Sequence, residues 1–207
     1  MKALPILTLA LAVAAAGCGS DSPTPPTNDA PAQNTTTPTE FRLDLKATNE
    51  RPNPVSGPEA SATGSGILTI RITRDPSNNI VSATADFNVS MVGFPAGATI
   101  TAAHIHPGDA SNTGGILWNT GLTSGEVALT NGAGSFSKTN VAFPPNQDIN
   151  QAAAIVSNPA GFYFNVHSSA NQGGVLRAQM NNTGAPGQPG DDEPKPCDPA
   201  DIYCTPR

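Results

Sequence analysis

The sequence predicts an all-β domain, an antiparallel sandwich or Greek-key-like barrel with one short helix, flanked by disordered tails. Three observations lead there. Apolar residues in the middle of the chain recur with period two rather than 3.6. Glycine and proline number 20 and 21 among 207 residues while charged side chains make up only 13%, a composition suited to short strands joined by turns. Turn-forming clusters interrupt the apolar runs roughly every 8–15 residues, as in sandwiches and barrels.

In chain order, residues 1–17 have the layout of a lipoprotein signal peptide. Lys2 precedes an apolar run from Ala3 to Ala16, which is shorter than the ~20 residues of a spanning helix. Ala15-Ala16-Gly17-Cys18 has the form of a lipobox, with Ala15 where Leu is commoner. Cys18 is therefore expected to be acylated and to begin the mature chain; the competing reading is an ordinary cleaved signal with a chance cysteine. Residues 18–40 are rich in Pro, Thr, Asn and Ser and nearly free of large apolar side chains. Such a segment buries too little surface to offset its ordering entropy and reads as a disordered tether.

Residues 41–180 form the expected folded domain. Phe41, Leu43, Leu45 and Ala47 alternate with polar neighbours, as do Leu68, Ile70 and Ile72, and then Val81, Ala83, Ala85, Phe87 and Val89. Each pattern gives a strand with one face on a core and one in water. Asp75-Pro76-Ser77-Asn78-Asn79 lies between the second and third runs and predicts a hairpin. Further strands are expected at Ile100–His106, Gly115–Asn119, Glu126–Leu129, Gly134–Phe143, Phe162–His167 and Val175–Met180. The alanine-containing stretch Asp148–Ser157, ended by Asn158-Pro159, predicts the single short helix.

Residues 181–207 form a polar tail that carries Asp191-Asp192-Glu193. With Cys18 acylated, Cys197 and Cys204 are left as an even pair in an oxidising compartment, and a local disulfide is expected. Their spacing does not suit a C-x-x-C metal or redox motif. The net charge is −6 and no Lys/Arg cluster is present, which argues against nucleic acid as a partner.

Two stretches carry a family resemblance: Ala102-Ala103-His104-Ile105-His106-Pro107-Gly108, and Phe162-Tyr163-Phe164-Asn165-Val166-His167-Ser168 followed by Gly173-Gly174-Val175-Leu176-Arg177-Ala178-Gln179. In this order they resemble the CHRD domain, described first in chordin and found in bacterial exported proteins, with its A-H-I-H-x-G, Y-x-N-V-H-T and G-G-E-I-R-G-Q motifs. Leu43–Glu50 with Pro52 and Pro54 is similar to the family's first strand and N-E-x-P-P turn. Val175, Ala178 and Ser168 depart from the family's Glu, Gly and Thr. The resemblance marks Asn165, Arg177, Gly173 and Gly174 as motif residues with structural roles, and it implies no activity for a bacterial member.

All three histidines of the chain, His104, His106 and His167, fall in these motifs. His104 and His106 are two apart on one strand and project from one face. If the His167 strand lies beside them, three imidazoles converge, a donor set that suits copper or zinc. Asp109, Asn165 and Glu126 are then candidates for outer-shell partners. The competing reading is structural: a ring that donates to a backbone carbonyl, packs beside Trp118 or Tyr163, or caps a loop.

No catalytic constellation stands out. There is no G-x-S-x-G, both mature thiols sit in the tail, and Asp86, Glu126 and Asp148 are acids with nothing to pair them. The first expectation is thus an exported, non-enzymatic module of the cell envelope. It is held at a cell or outer membrane by its lipid, and faces the periplasm or exterior to bind a protein or glycan. The second is a histidine-based copper or zinc protein, and the third an enzyme of unknown class.

Overall fold

The computed structural model describes residues 32–180. Eight strands, β1 (Thr35–Lys46), β2 (Thr63–Arg74), β3 (Ile80–Val92), β4 (Ile100–Pro107), β5 (Trp118–Asn119), β6 (Gly134–Ala142), β7 (Phe162–Ser168) and β8 (Leu176–Gln179), form one sheet. Its order is β5-β4-β7-β8-β1-β2-β3-β6, and every neighbouring pair is antiparallel. The expected all-β class is observed, with the sheet curled as a half-barrel rather than split into two stacked layers. The one α-helix among the described residues, α1 (Asn150–Ser157), packs against β2 and buries Ala152 and Ile155.

Alternation builds the core. Phe41 of β1 pairs with Leu68 of β2, which pairs with Phe87 of β3, and all three side chains are fully buried. Across the curl, Phe164 stacks on Phe87 with ring centroids 5.9 Å apart. Trp118, on edge strand β5, meets Phe87 edge-on and Phe143 at 4.9 Å, and its Nε1–H donates to the Ala142 carbonyl over 3.0 Å. Where the ladder is open, this indole links the β5 edge to the end of β6. Burying a large aromatic in this way contributes on the order of 3 kcal/mol.

Several sequence expectations need correction. β1 begins at Thr35, inside the stretch assigned by composition to the tether, because residues 35–40 gain ladder partners along β2 from Arg74 to Thr69. Val81 is 49% exposed rather than in the core. The β2–β3 register moves from Thr73↔Ser82 to Arg74↔Ile80, so Val81 is the extra residue of a bulge. Glu126–Leu129 is not a strand: a tight turn at Asn131-Gly132, both with positive φ, pairs only Thr130 with Ala133. Of Gly115–Asn119 only Trp118 and Asn119 join the ladder. Cys18, Cys197, Cys204 and the tails that hold them lie outside the described residues.

Along β1 and β3 one face is buried and the other open to solvent. On β4, β7 and β8 both faces are covered: in Phe162–Ser168 every residue but His167 is buried. Phe162, Phe164 and Val166 join the core, while Tyr163 and Asn165 lie on the opposite face beneath loops. That second buried face holds the candidate site.

Candidate metal centre

In β4, Ala103 and Ile105 face the core, so period two sends His104 and His106 to the opposite face. In β7 the same alternation sends Tyr163, Asn165 and His167 there. The register sets His104 beside Asn165, His106 beside Tyr163 and Ala102 beside His167, so His167 lies diagonal to His104. His104 and His106 are each only 6% exposed, whereas His167 is half-buried at the rim.

The three rings converge as the spacing suggests. His104 Nδ1 lies 3.1 Å from His167 Nε2, and one ring nitrogen from each of the three histidines falls within a 4.8 Å set. An ion with bonds near ~2 Å brings its ligand nitrogens to within ~3.5–4 Å of one another, so binding requires the widest pair to close by about 1–1.5 Å. This triad is the one group of three or more His, Cys, Asp or Glu among the described residues that can hold a metal ion.

Backbone carbonyls orient two of the rings. His106 Nδ1 lies 3.0 Å from the Gly114 carbonyl, and His167 Nδ1 lies 2.9 Å from the Gln172 carbonyl. A carbonyl only accepts, so each Nδ1 carries the hydrogen and each Nε2 keeps its lone pair. His106 Nε2 is buried with no hydrogen-bond partner. An outer-shell acceptor that fixes the tautomer in this way is the usual companion of a metal-ligating imidazole. With Nε2 of His167 unprotonated, His104 Nδ1 is the donor of the bond between the two rings.

Burial keeps the rings neutral. His104 is lowered to about 4, first by desolvation and then by the neighbouring rings of His167 and His106. His106 and His167 are also lowered by desolvation, partly offset by their bonds to the Gly114 and Gln172 carbonyls. Neutral imidazole is the metal-binding form.

The carbonyls are themselves held. Gly114 leaves no space for a side chain, since a Cβ there runs into the Pro107 carbonyl. Arg177 is 2% exposed and its Nη2 donates to the Asp109 carbonyl at 2.6 Å and the Asn112 carbonyl at 2.9 Å, pinning the loop that carries Gly114. Its guanidinium carbon sits 3.5 Å over the Tyr163 ring, and Tyr163 stacks on His106 at 4.9 Å. Buried Glu59 accepts from Ser168 Oγ and Asn171 Nδ2, both at 2.6 Å, which fixes the turn that presents Gln172.

The acids and amide expected as outer-shell partners do not serve that role. The Asp109 carboxylate is used within its own loop by Ser111 and Asn112. Glu126 pairs with Lys138 and accepts from Thr123, which lowers its carboxyl to about 2. Asn165 turns toward Glu50, to which its Nδ2 donates over 3.2 Å. Backbone carbonyls replace all three, and no side-chain pattern in the sequence announces them.

Glu50 is the residue that sequence reasoning passed over as a site member. It is 3% exposed, and desolvation, only partly countered by Arg177, Asn165 and Arg51, raises its carboxyl to about 7. Its place in the N-E-x-P-P turn was the available signal. Gly174 fits against it: with φ +139°, a Cβ there lies 2.5 Å from Asn165 Nδ2 and 2.6 Å from Glu50 Oε2. Gly173, by contrast, has open space around it.

The model of one domain family, CHRD, matches residues 41–180. No curated protein and no solved structure matches the chain.

Proposed function

The chain belongs to the CHRD domain family, and on that footing we propose that it is a non-catalytic module of the cell envelope that binds one copper or zinc ion on His104, His106 and His167. The carrying observation is the convergence of three desolvated imidazoles, two of them with Nδ1 on a backbone carbonyl and Nε2 directed inward. A purely structural role accounts for the His106–Gly114 and His167–Gln172 bonds. It gives no reason for a buried His106 Nε2 left without a partner.

The anchoring part of the reading rests on the lipobox at Cys18 and the polar segment behind it, which together tether the domain to a membrane surface. Two or three acyl chains on one cysteine suffice for stable attachment.

The test is metal content. The untagged chain, exposed to copper or zinc and freed of excess, retains about one equivalent by elemental analysis, and His167→Ala retains none. Negligible stoichiometry, or metal that stays after that substitution, contradicts the reading. Cys18→Ala moves the protein to the soluble fraction; persistence in the membrane fraction contradicts the anchor.

A further inference from the structure

Resting on that metal-binding reading, we infer that the ion is monovalent copper, Cu(I), in preference to Zn(II), and that Arg177 is the residue that sets the choice. The argument is one of charge. The donor set is three histidines with no carboxylate or thiolate among the described residues, so nothing in it neutralises the ion. Arg177 adds a fixed positive charge one aromatic ring away: β7 lies between β4 and β8, and Tyr163 is sandwiched between His106 and the guanidinium.

The guanidinium is held by neutral carbonyls, and no carboxylate forms an ion pair with it among the described residues. Glu50 is the carboxyl group that acts on it most strongly. Because the Glu50 carboxyl is raised to about 7 by burial, it offsets Arg177 only in part at neutral pH.

Desolvation of an ion scales with the square of its charge, and repulsion from Arg177 scales with the charge itself. Both terms weigh more on a divalent ion in this buried, only partly compensated site. Three imidazoles with a water completing the tetrahedron suit zinc, and imidazole nitrogen serves copper as well, so ligand type leaves the choice to charge.

The experiment is an anaerobic competition on the full chain between Cu(I), kept reduced with ascorbate, and Zn(II), each against a chelator of known affinity. The wild-type chain takes Cu(I) in preference to Zn(II). Arg177→Gln narrows the preference by about tenfold, the effect of one unit charge a ring away at an effective dielectric near 20. Arg177 also pins a loop, so a second variant guards against misfolding. Asn119 pairs with His104 in the β4–β5 register, and its Oδ1 accepts from the Gly121 N–H. Asn119→Asp keeps that bond, adds an anion beside the triad and shifts the preference toward Zn(II).

Zinc held preferentially by the wild-type chain, and lost in His167→Ala, overturns the inference and leaves the metal-binding reading standing. A preference unmoved by Asn119→Asp overturns the charge argument. Retention of neither ion defeats the metal-binding reading itself.

Discussion

Glu50 and Asn165, 115 residues apart in the chain, meet beneath Gly174, where the Asn165 amide donates to Glu50 Oε2 over 3.2 Å. The contact joins the turn after β1 to the middle of β7, and Arg177 pairs with Asn165 on the far side. Motif segments from the two ends of the domain are thereby locked together next to the histidines.

The Glu50 carboxyl makes stability depend on pH in a defined direction. Its value rises from 4.5 to about 7 because burial disfavours the anion. The folded state therefore holds a proton that the unfolded chain has released, and the contribution is complete below pH 4.5 and lost as pH rises through about 7. Glu50→Gln is expected to be more stable than wild type at pH 8, by roughly 3 kcal/mol, with the gap closing at pH 4.5. Urea unfolding at the two pH values checks this; equal stabilities at pH 8 contradict it.

The histidines act in the opposite sense. Desolvation lowers all three, His104 to about 4. The unfolded rings take up protons near 6.5 that the folded rings refuse, so stability is full above 6.5 and falls as pH drops toward 4. His104 alone accounts for on the order of 3 kcal/mol of this loss. Since Glu50 opposes the trend between 4.5 and 7, the decline is steeper in Glu50→Gln than in wild type. Melting temperatures followed from pH 7 to 4 distinguish the two.

Gly174 and Gly173 separate by conformation and space. Gly174→Ala places a Cβ against the Asn165 amide and the Glu50 carboxylate at positive φ, and is expected to cost about 2–4 kcal/mol. Gly173→Ala meets open space and is expected to stay within about 0.5 kcal/mol of wild type. Comparable losses at both positions, read by denaturant midpoint, contradict this placement.

Trp118 tests the closure of the curl. Trp118→Phe keeps most of the ring but leaves the Ala142 carbonyl without its donor, a loss of about 1–3 kcal/mol. Trp118→Ala also removes contacts to Phe87 and Phe143 and is expected to cost about 3–5 kcal/mol. A near-neutral alanine variant in thermal unfolding sinks the claim that this indole joins the sheet edges.

The strands with clean alternation, β1 to β3, were legible because one face is dry and the other wet. Where both faces are buried, as on β7, the pattern FYFNVHS still alternates between core apolar groups and a polar second layer, and the motif histidines appear in it. The sequence did not reveal that backbone carbonyls of Gly114 and Gln172 orient the rings, since a carbonyl has no residue signature. Val81 was misplaced because a one-residue bulge reverses parity without a turn residue to mark it. Glu50 escaped notice because a lone acid in a proline-rich turn reads as solvated until the fold closes over it.

The most direct measurement of the central claim is imidazole nitrogen NMR of uniformly 15N-labelled protein before and after titration with Zn(II) to saturation, the ion serving as a diamagnetic probe. The account predicts that Nε2 of His106, Nε2 of His167 and Nδ1 of His104, whose hydrogen passes to its own Nε2 on binding, all move to metal-bound shifts, while Nδ1 of His106 and His167 remain protonated. If the shifts of the three rings stay as they are in the metal-free protein, the triad is not a metal centre.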